Sequence, residues 1–225
     1  QALGEECLEE KVSVLLGPGA NIKRSPLCGR NFEYFSEDPY LAGKIGTAFV
    51  KGVQSAGVSA CPKHFACNNQ ETNRGGLDEA ISARALEEIY FPGFRACVQE
   101  GRVKTVMSAY NSINGVPCTE NKWLLTEKLR EEWGFDGVVV SDWGAVYHPG
   151  KALAAGNDLA MPGPLPWEPV AEAICSGELQ ESELNLAAAR ILKLIEWIDG
   201  HFSTASDIEV QKLREETDRV AYQAA

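Results

Sequence analysis

No stretch of this sequence reaches the ~18 consecutive apolar residues that a membrane-spanning helix needs. No CxxC pair occurs among its seven cysteines, Cys7, Cys28, Cys61, Cys67, Cys97, Cys118 and Cys175. Scattered, odd-numbered cysteines argue against a structural zinc site and for a reducing compartment, so a cytoplasmic location is expected. Positive charge is the minority sign: 21 Lys plus Arg against 32 Asp plus Glu leave a formal net charge of −11. An acidic surface disfavours nucleic acid and anionic membranes as partners. There is no glycine-rich phosphate loop of the P-loop type, no internal repeat and no low-complexity tract. No signal peptide is visible at Gln1, where the chain already reads as helix.

What is present supports a real core: 225 residues, 44% of them hydrophobic, suffice for one large domain. The most informative stretch is Gly137-Val138-Val139-Val140-Ser141-Asp142-Trp143-Gly144. A β-branched run fits a strand buried on both faces, as in parallel sheets covered by helices. It stops at a carboxylate, an indole and a glycine. Asp142 reads either as a catalytic group at a strand end or as the cap of the next helix.

The same alternation runs along the chain. Val12–Leu16, Val58–Cys61, Val103–Ala109 and Val138–Ser141 read as strands, with a weaker one at Asp158–Met161. Between them, Asp38-Pro39 starts a helix that Gly57 closes. Asp78 is expected to cap a long helix to Glu100, kinked or split at Pro92. Asn114-Gly115 marks a turn, and Asn121–Trp133 a helix closed by Gly134. From Trp167 the chain reads as helical, with Leu184, Ala188, Ile191, Leu192, Ile195 and Ile198 forming an apolar stripe that core packing explains best. A short break at 204–207 precedes a polar last helix.

Helices between strands imply parallel βαβ units. Polar groups collect after each strand: Arg30, then Lys63 and His64, then Tyr110, then Asp142 and Trp143. Four successive loops carrying such groups favour a closed barrel, where they ring the mouth, over an open sheet with one switch point. Nearby cations are expected to hold Asp142 ionised, fit to act as nucleophile or base. Trp offers a flat apolar face to the C–H face of a sugar, and Lys, His and Arg offer donors to hydroxyls. Lys63 also reads as a salt-bridge support for its strand end, and His64 as a satisfied core histidine. Adjacent residues cannot both face the mouth on a regular strand, so if both bind sugar the backbone there is irregular.

At these residues the chain resembles glycoside hydrolase family 3, the β-glucosidase and β-xylosidase group. The resemblance rests on Leu16-Gly17-Pro18-Gly19; Arg24-Ser25-Pro26 with Gly29-Arg30-Asn31-Phe32-Glu33; Ser36-Glu37-Asp38-Pro39; Lys63-His64-Phe65; Met107-Ser108-Ala109-Tyr110-Asn111; Val140-Ser141-Asp142-Trp143-Gly144; and Gly156-Asn157-Asp158-Leu159-Ala160-Met161-Pro162. Each motif alone is weak; together, in family order, they are specific. The resemblance implies an α/β fold, a (β/α)8 TIM-barrel-like domain over 1–202, incomplete at its first strand, with 203–225 a helical linker toward a second domain. It implies Asp142 as nucleophile of a retaining glycosidase acting on terminal non-reducing β-D-glucosyl residues. Arg30, Lys63 and His64 are then ligands of the sugar hydroxyls, Arg74, Met107 and Tyr110 weaker subsite positions, and Trp143 a pocket wall. Asp158 is expected to be structural. No cofactor or metal is expected.

The resemblance also has gaps. A strand carrying a further sugar-binding Asp belongs before Gln1. The acid/base of the β-glucosidase branch lies in a second domain, so it is expected from outside this segment, from further chain, a second polypeptide or another copy. The hexosaminidase branch keeps an acid/base His just after Lys-His-Phe; here Ala66-Cys67-Asn68-Asn69-Gln70-Glu71 has none, which favours the glucosidase branch. Two other readings stay open: a sugar-binding barrel without turnover, and a Schiff-base aldolase using Lys63.

Overall fold

Parallel pairing in chain order organises the fold. The computed structural model describes residues 1–201 and 207–224. Helix α1 (Ala2–Glu9) leads into strand β1 (Val14–Leu15). Asp38 then caps α2 (Pro39–Gln54), its carboxylate accepting from Tyr40 N at 2.7 Å and Leu41 N at 3.2 Å. Gly57, at φ +84°, ends the turn beyond α2; a Cβ there would lie 2.2 Å from the His201 carbonyl, so glycine is required on both counts. The chain re-enters the sheet as β2 (Ser59–Ala60), paired in parallel with β1.

Beyond a long loop, the short β3 (Asp78–Glu79) precedes α3 (Ala83–Ala85), which runs on as a helical turn over Leu86–Tyr90 and is followed by α4 (Pro92–Gln99). Strand β4 (Thr105–Ser108) joins the β2 side, where Phe65 bridges Ser108 in parallel. A hairpin of β5 (Ser112–Ile113) and β6 (Val116–Pro117) turns at Asn114-Gly115, both at positive φ, as the sequence predicts. The helix Trp123–Glu132 closes before Gly134, and β7 (Val138–Ser141) pairs in parallel with β4 along its whole length. Leu159 bridges Val140 in parallel, where the weaker strand is expected. Then come α5 (Pro149–Ala155), which precedes that bridge in the chain, α6 (Glu168–Ser176), α7 (Glu181–His201) and α8 (Asp207–Ala224). Strand, helix and next parallel strand repeat in sequence order, a TIM-barrel-like arrangement.

Side-chain alternation divides the core between the faces of this sheet. Phe65, Val106 and Val139 join the large cluster with Phe91, Phe94 and Trp133. Cys61, Met107, Val138 and Val140 form a second cluster, covered by Ile191 and Leu194 of α7. Helix α8 lies against α1, with Arg214 2.9 Å from Glu9 and 3.4 Å from Glu10.

Two expectations about helices are corrected. Asp78 caps nothing: it sits in β3 opposite Ser112, and its carboxylate accepts from Gly115 N at 2.8 Å. The hairpin takes that carboxylate, and the following helix is capped by Ser82, which accepts from Ala85 N. The apolar stripe of α7 is also turned from the expected one. Ala187 is its buried residue, with Ile191 and Leu194 against the sheet, while Leu192 and Ile195 are 60% and 47% exposed. The split at Pro92 is observed, since α4 begins there. The break expected at 204–207 falls, over 204–206, outside the described residues.

Candidate active site

Asp142 follows the last residue of β7, and the sheet fixes it there: its own N–H donates to the Ser108 carbonyl at 3.0 Å. Its Oδ1 accepts from Trp143 N at 2.7 Å, whereas Oδ2 is buried and without a hydrogen-bond partner. The cap reading of Asp142 is set aside, because α5 starts only at Pro149, after His148. A strand end thus presents one carboxylate oxygen uncommitted.

His64 supplies the neighbour. Its Nε2 lies 3.5 Å from Asp142 Oδ2, and its ring is 1% exposed. On the far side Nδ1 lies 3.3 Å from the Tyr34 hydroxyl. Asn21 clasps the His64 backbone, accepting from its N–H at 2.6 Å and donating to its carbonyl at 3.0 Å. Burial, reinforced by Arg30, Lys63 and Arg74, lowers the His64 pKa to about 2. The imidazole is therefore neutral, and its approach to Asp142 is not an ion pair. The Tyr34 hydroxyl donates to the Asn68 carbonyl at 3.3 Å and accepts from the Asn68 amide at 3.4 Å. His64 is thus a buried, partnered histidine that borders the carboxylate. The backbone carrying Lys63 and His64 is irregular, with the Lys63–His64 and Phe65–Ala66 peptides cis.

The cations form a chain with two glutamates. Glu33 pairs with Arg30 and stands 3.4 Å from Lys63 Nζ. Glu71 stands 4.0 Å from Arg30, 2.8 Å from Arg74 and 3.3 Å from the Asn68 amide. Arg74 lies over the ring of Tyr110 at 4.4 Å, and the Tyr110 hydroxyl donates to the Trp143 carbonyl. Trp143 itself is 60% exposed. Arg30, Lys63, His64, Arg74, Tyr110, Asp142 and Trp143 are thereby connected, although they come from four loops, those after β1, β2, β4 and β7. Met107 is buried in the second core cluster, packed with Val138 and Val140.

The electrostatic expectation for Asp142 is corrected. Its pKa is raised, because burial outweighs the Trp143 N–H and the nearby Arg30, Arg74 and Lys63. Cations on other loops act through distance; loss of water acts at the carboxylate itself. Asp158 is structural, as expected: its carboxylate takes Arg130, Arg190 at 2.9 Å and the Val139 N–H at 2.8 Å, with its side chain fully buried. A hollow of about 210 Å³ between α5, α6 and residues 157–165 is lined by none of these cations or by Asp142. Its walls are mainly apolar side chains such as Val146, Leu153 and Val170. Asn21, Tyr34 and Tyr147 carry no motif of their own that sequence reasoning could use; Glu33 and Glu71 lie in the stretches Gly29–Glu33 and Ala66–Glu71 without an assigned role.

Comparison with known proteins bears on this arrangement. The glycosyl hydrolase family 3 N-terminal domain matches residues 1–194. A thermostable β-glucosidase B from Acetivibrio thermocellus is 57% identical over 196 residues, 86% of this chain and 26% of the relative. An exo-α-(1→6)-L-arabinopyranosidase from Bifidobacterium longum is 47% identical over 228 residues, 100% of this chain and 29% of the relative. Among solved structures, β-glucosidase 3B from Thermotoga neapolitana in complex with glucose matches with a TM-score of 0.85 at 48% identity, covering 96% of this chain and 32% of that one. The chain thus spans about a quarter to a third of the length of these relatives.

Proposed function

This chain belongs to glycosyl hydrolase family 3, and from that premise we propose that it carries the nucleophile side of a retaining β-glycosidase acting on terminal β-D-glucosyl residues. The observation that carries the reading is the free, buried Oδ2 of Asp142 beside neutral His64. Asp142 Oδ2 attacks the anomeric carbon, forming a C–O bond as the bond to the leaving oxygen breaks. The leaving oxygen takes a proton from a general acid. Water, losing its proton to the same group, then displaces Asp142 and restores the carboxylate. Two displacements at one carbon retain configuration.

Arg30, Lys63, His64, Arg74 and Tyr110 hold sugar hydroxyls in this reading, and Trp143 faces the ring. Met107 shapes the pocket from below. The acid/base comes from outside these 225 residues, as a Glu on further chain, a second polypeptide or another copy. In support, Glu33 and Glu71 are already engaged by the cations of the site. Residues 203–225, of which Asp207–Ala224 is α8, serve as the connection toward that second domain. Six buried free thiols among the described residues support a reducing, cytoplasmic location.

A 2-deoxy-2-fluoro β-glucoside with a good leaving group tests the reading on the whole protein. Peptide mass spectrometry should find the sugar on Asp142. A label on another carboxylate, or a borohydride-trapped adduct on Lys63 with a carbonyl substrate, would overturn it.

A further inference from the structure

We infer that Tyr147 is a positioning residue for the sugar site, one that sets where Arg74 stands without itself meeting the sugar; the inference rests on the site reading above. The Tyr147 hydroxyl donates to the Gly75 carbonyl at 3.0 Å and lies 3.4 Å from the Tyr110 carbonyl. Gly75 is the residue after Arg74, and Tyr110 is the ring on which Arg74 rests at 4.4 Å. One phenol therefore touches the backbones that carry both members of the stack. It reaches them from the loop after β7, the loop that begins with Asp142.

That loop holds the phenol still. Thr119 Oγ1 donates to the Ala145 carbonyl at 3.0 Å, and Gly144 N–H donates to the Met161 carbonyl at 2.6 Å. Glu120 accepts from His148 N at 3.0 Å and approaches His148 Nδ1 at 2.9 Å. The loop bearing Arg74 is tied to the rest of the fold on either side of it, where the Asn69 amide donates to the Ile22 carbonyl at 2.5 Å and the Leu77 carbonyl accepts from Ser112 N–H at 2.8 Å. Arg74 bonds to Glu71, through N–H and guanidinium, and Gly76 N–H to Asn73, all within the same loop. Around Gly75 the nearest atom to an added Cβ is the Tyr147 hydroxyl, 3.9 Å away. Tyr147 is 44% exposed, so its hydroxyl contributes little to the core. Its work is to relate two loops. A guanidinium that must meet hydroxyls in a fixed direction gains from that relation, since misplacement weakens every bond it makes.

The test is Tyr147→Phe in the whole protein, in wild-type and Arg74→Ala backgrounds. The hydroxyl's loss should raise KM for an aryl β-glucoside about two- to tenfold, the worth of one hydrogen bond. The kcat should stay within about twofold, and Tm should hold. In the Arg74→Ala background the same change should raise KM no further, because its effect passes through Arg74. A merely structural tyrosine would lower Tm and leave the KM of folded enzyme alone. An unchanged KM, or an equal rise in both backgrounds, overturns the inference. Asp142→Asn assayed alongside separates the failures. If that variant is inactive and Tyr147→Phe is normal, only this inference falls; if it is fully active, the site reading falls and takes the inference with it.

Discussion

His64 Nε2 lies 3.5 Å from Asp142 Oδ2, and the two reach each other from beyond the ends of β2 and β7. Oδ1 of the same carboxylate is bound by Trp143 N–H. The two oxygens are thus distinguished by the backbone: one is fixed, the other faces a neutral ring. A nucleophile needs that division, since an oxygen already committed to a strong donor is a poorer attacker.

Asp142→Asn tests the division directly. The amide keeps the shape and can still accept from Trp143 N–H, so the fold should be retained, as checked by circular dichroism and Tm. Turnover of an aryl β-glucoside by the whole protein should fall at least a thousandfold, about 4 kcal/mol of barrier. Near-normal rates would remove Asp142 from its role.

Strand ends were legible because each carries its own local signal: an apolar β-branched run, then Lys63-His64, Tyr110 or Asp142. Pairing partners were not. Asp78 looked like a cap because a hairpin thirty-odd residues later, which takes its carboxylate, leaves no trace near it. Spacing alone gives the α7 stripe as Leu184, Ala188, Ile191, Leu192, Ile195 and Ile198; the packed face keeps Ile191 and takes Ala187 and Leu194 in place of Leu192 and Ile195. The direction of the Asp142 pKa shift is hidden from the sequence for a similar reason. Cations are visible in a sequence, and the loss of water around a carboxylate is not. Asn21 and Tyr34 stay silent for want of any motif, although they hold His64 in place.

His64 should make stability fall in mild acid. Its pKa is lowered from 6.5 to about 2 in the folded state, so between those values the unfolded chain binds a proton that the folded one refuses. Stability therefore drops as pH falls below about 6.5, by up to roughly 1.4 kcal/mol per pH unit. Asp142 contributes with the opposite sign, since its pKa is raised. Comparing wild type with His64→Gln isolates the histidine. In denaturant titrations at pH 7 and pH 5, the variant should lose about 2 kcal/mol less than wild type between the two. Parallel losses would show that His64 is not held neutral.

Asp158→Ala should be destabilising. The carboxylate is fully buried and faces Arg130 and Arg190, with Val139 N–H on the same oxygen as Arg130. Its removal leaves buried cations uncompensated, which costs about 3–5 kcal/mol. The urea midpoint should fall accordingly. Asp158→Asn, which keeps an acceptor, should lose less. A variant with an unchanged midpoint would mean that the arginines find water or new partners.

Retention of configuration is the sharpest test of the chemistry. A double displacement through Asp142 must release the sugar first as the β-anomer, whereas a single displacement by water would release α. The two are distinguishable before mutarotation equilibrates them, because the anomeric protons resonate apart. Proton NMR during the first minutes of hydrolysis by the whole protein should therefore show the β signal growing alone, with α appearing later and equally in enzyme-free controls. The carboxylate, not a bound ion, supplies the nucleophile in this scheme, so treatment with a chelator should leave the rate within about twofold. An α-anomer formed first would demand a water-activating base in place of Asp142. Activity lost to the chelator and restored by zinc would demand a metal that these residues were not assigned to hold.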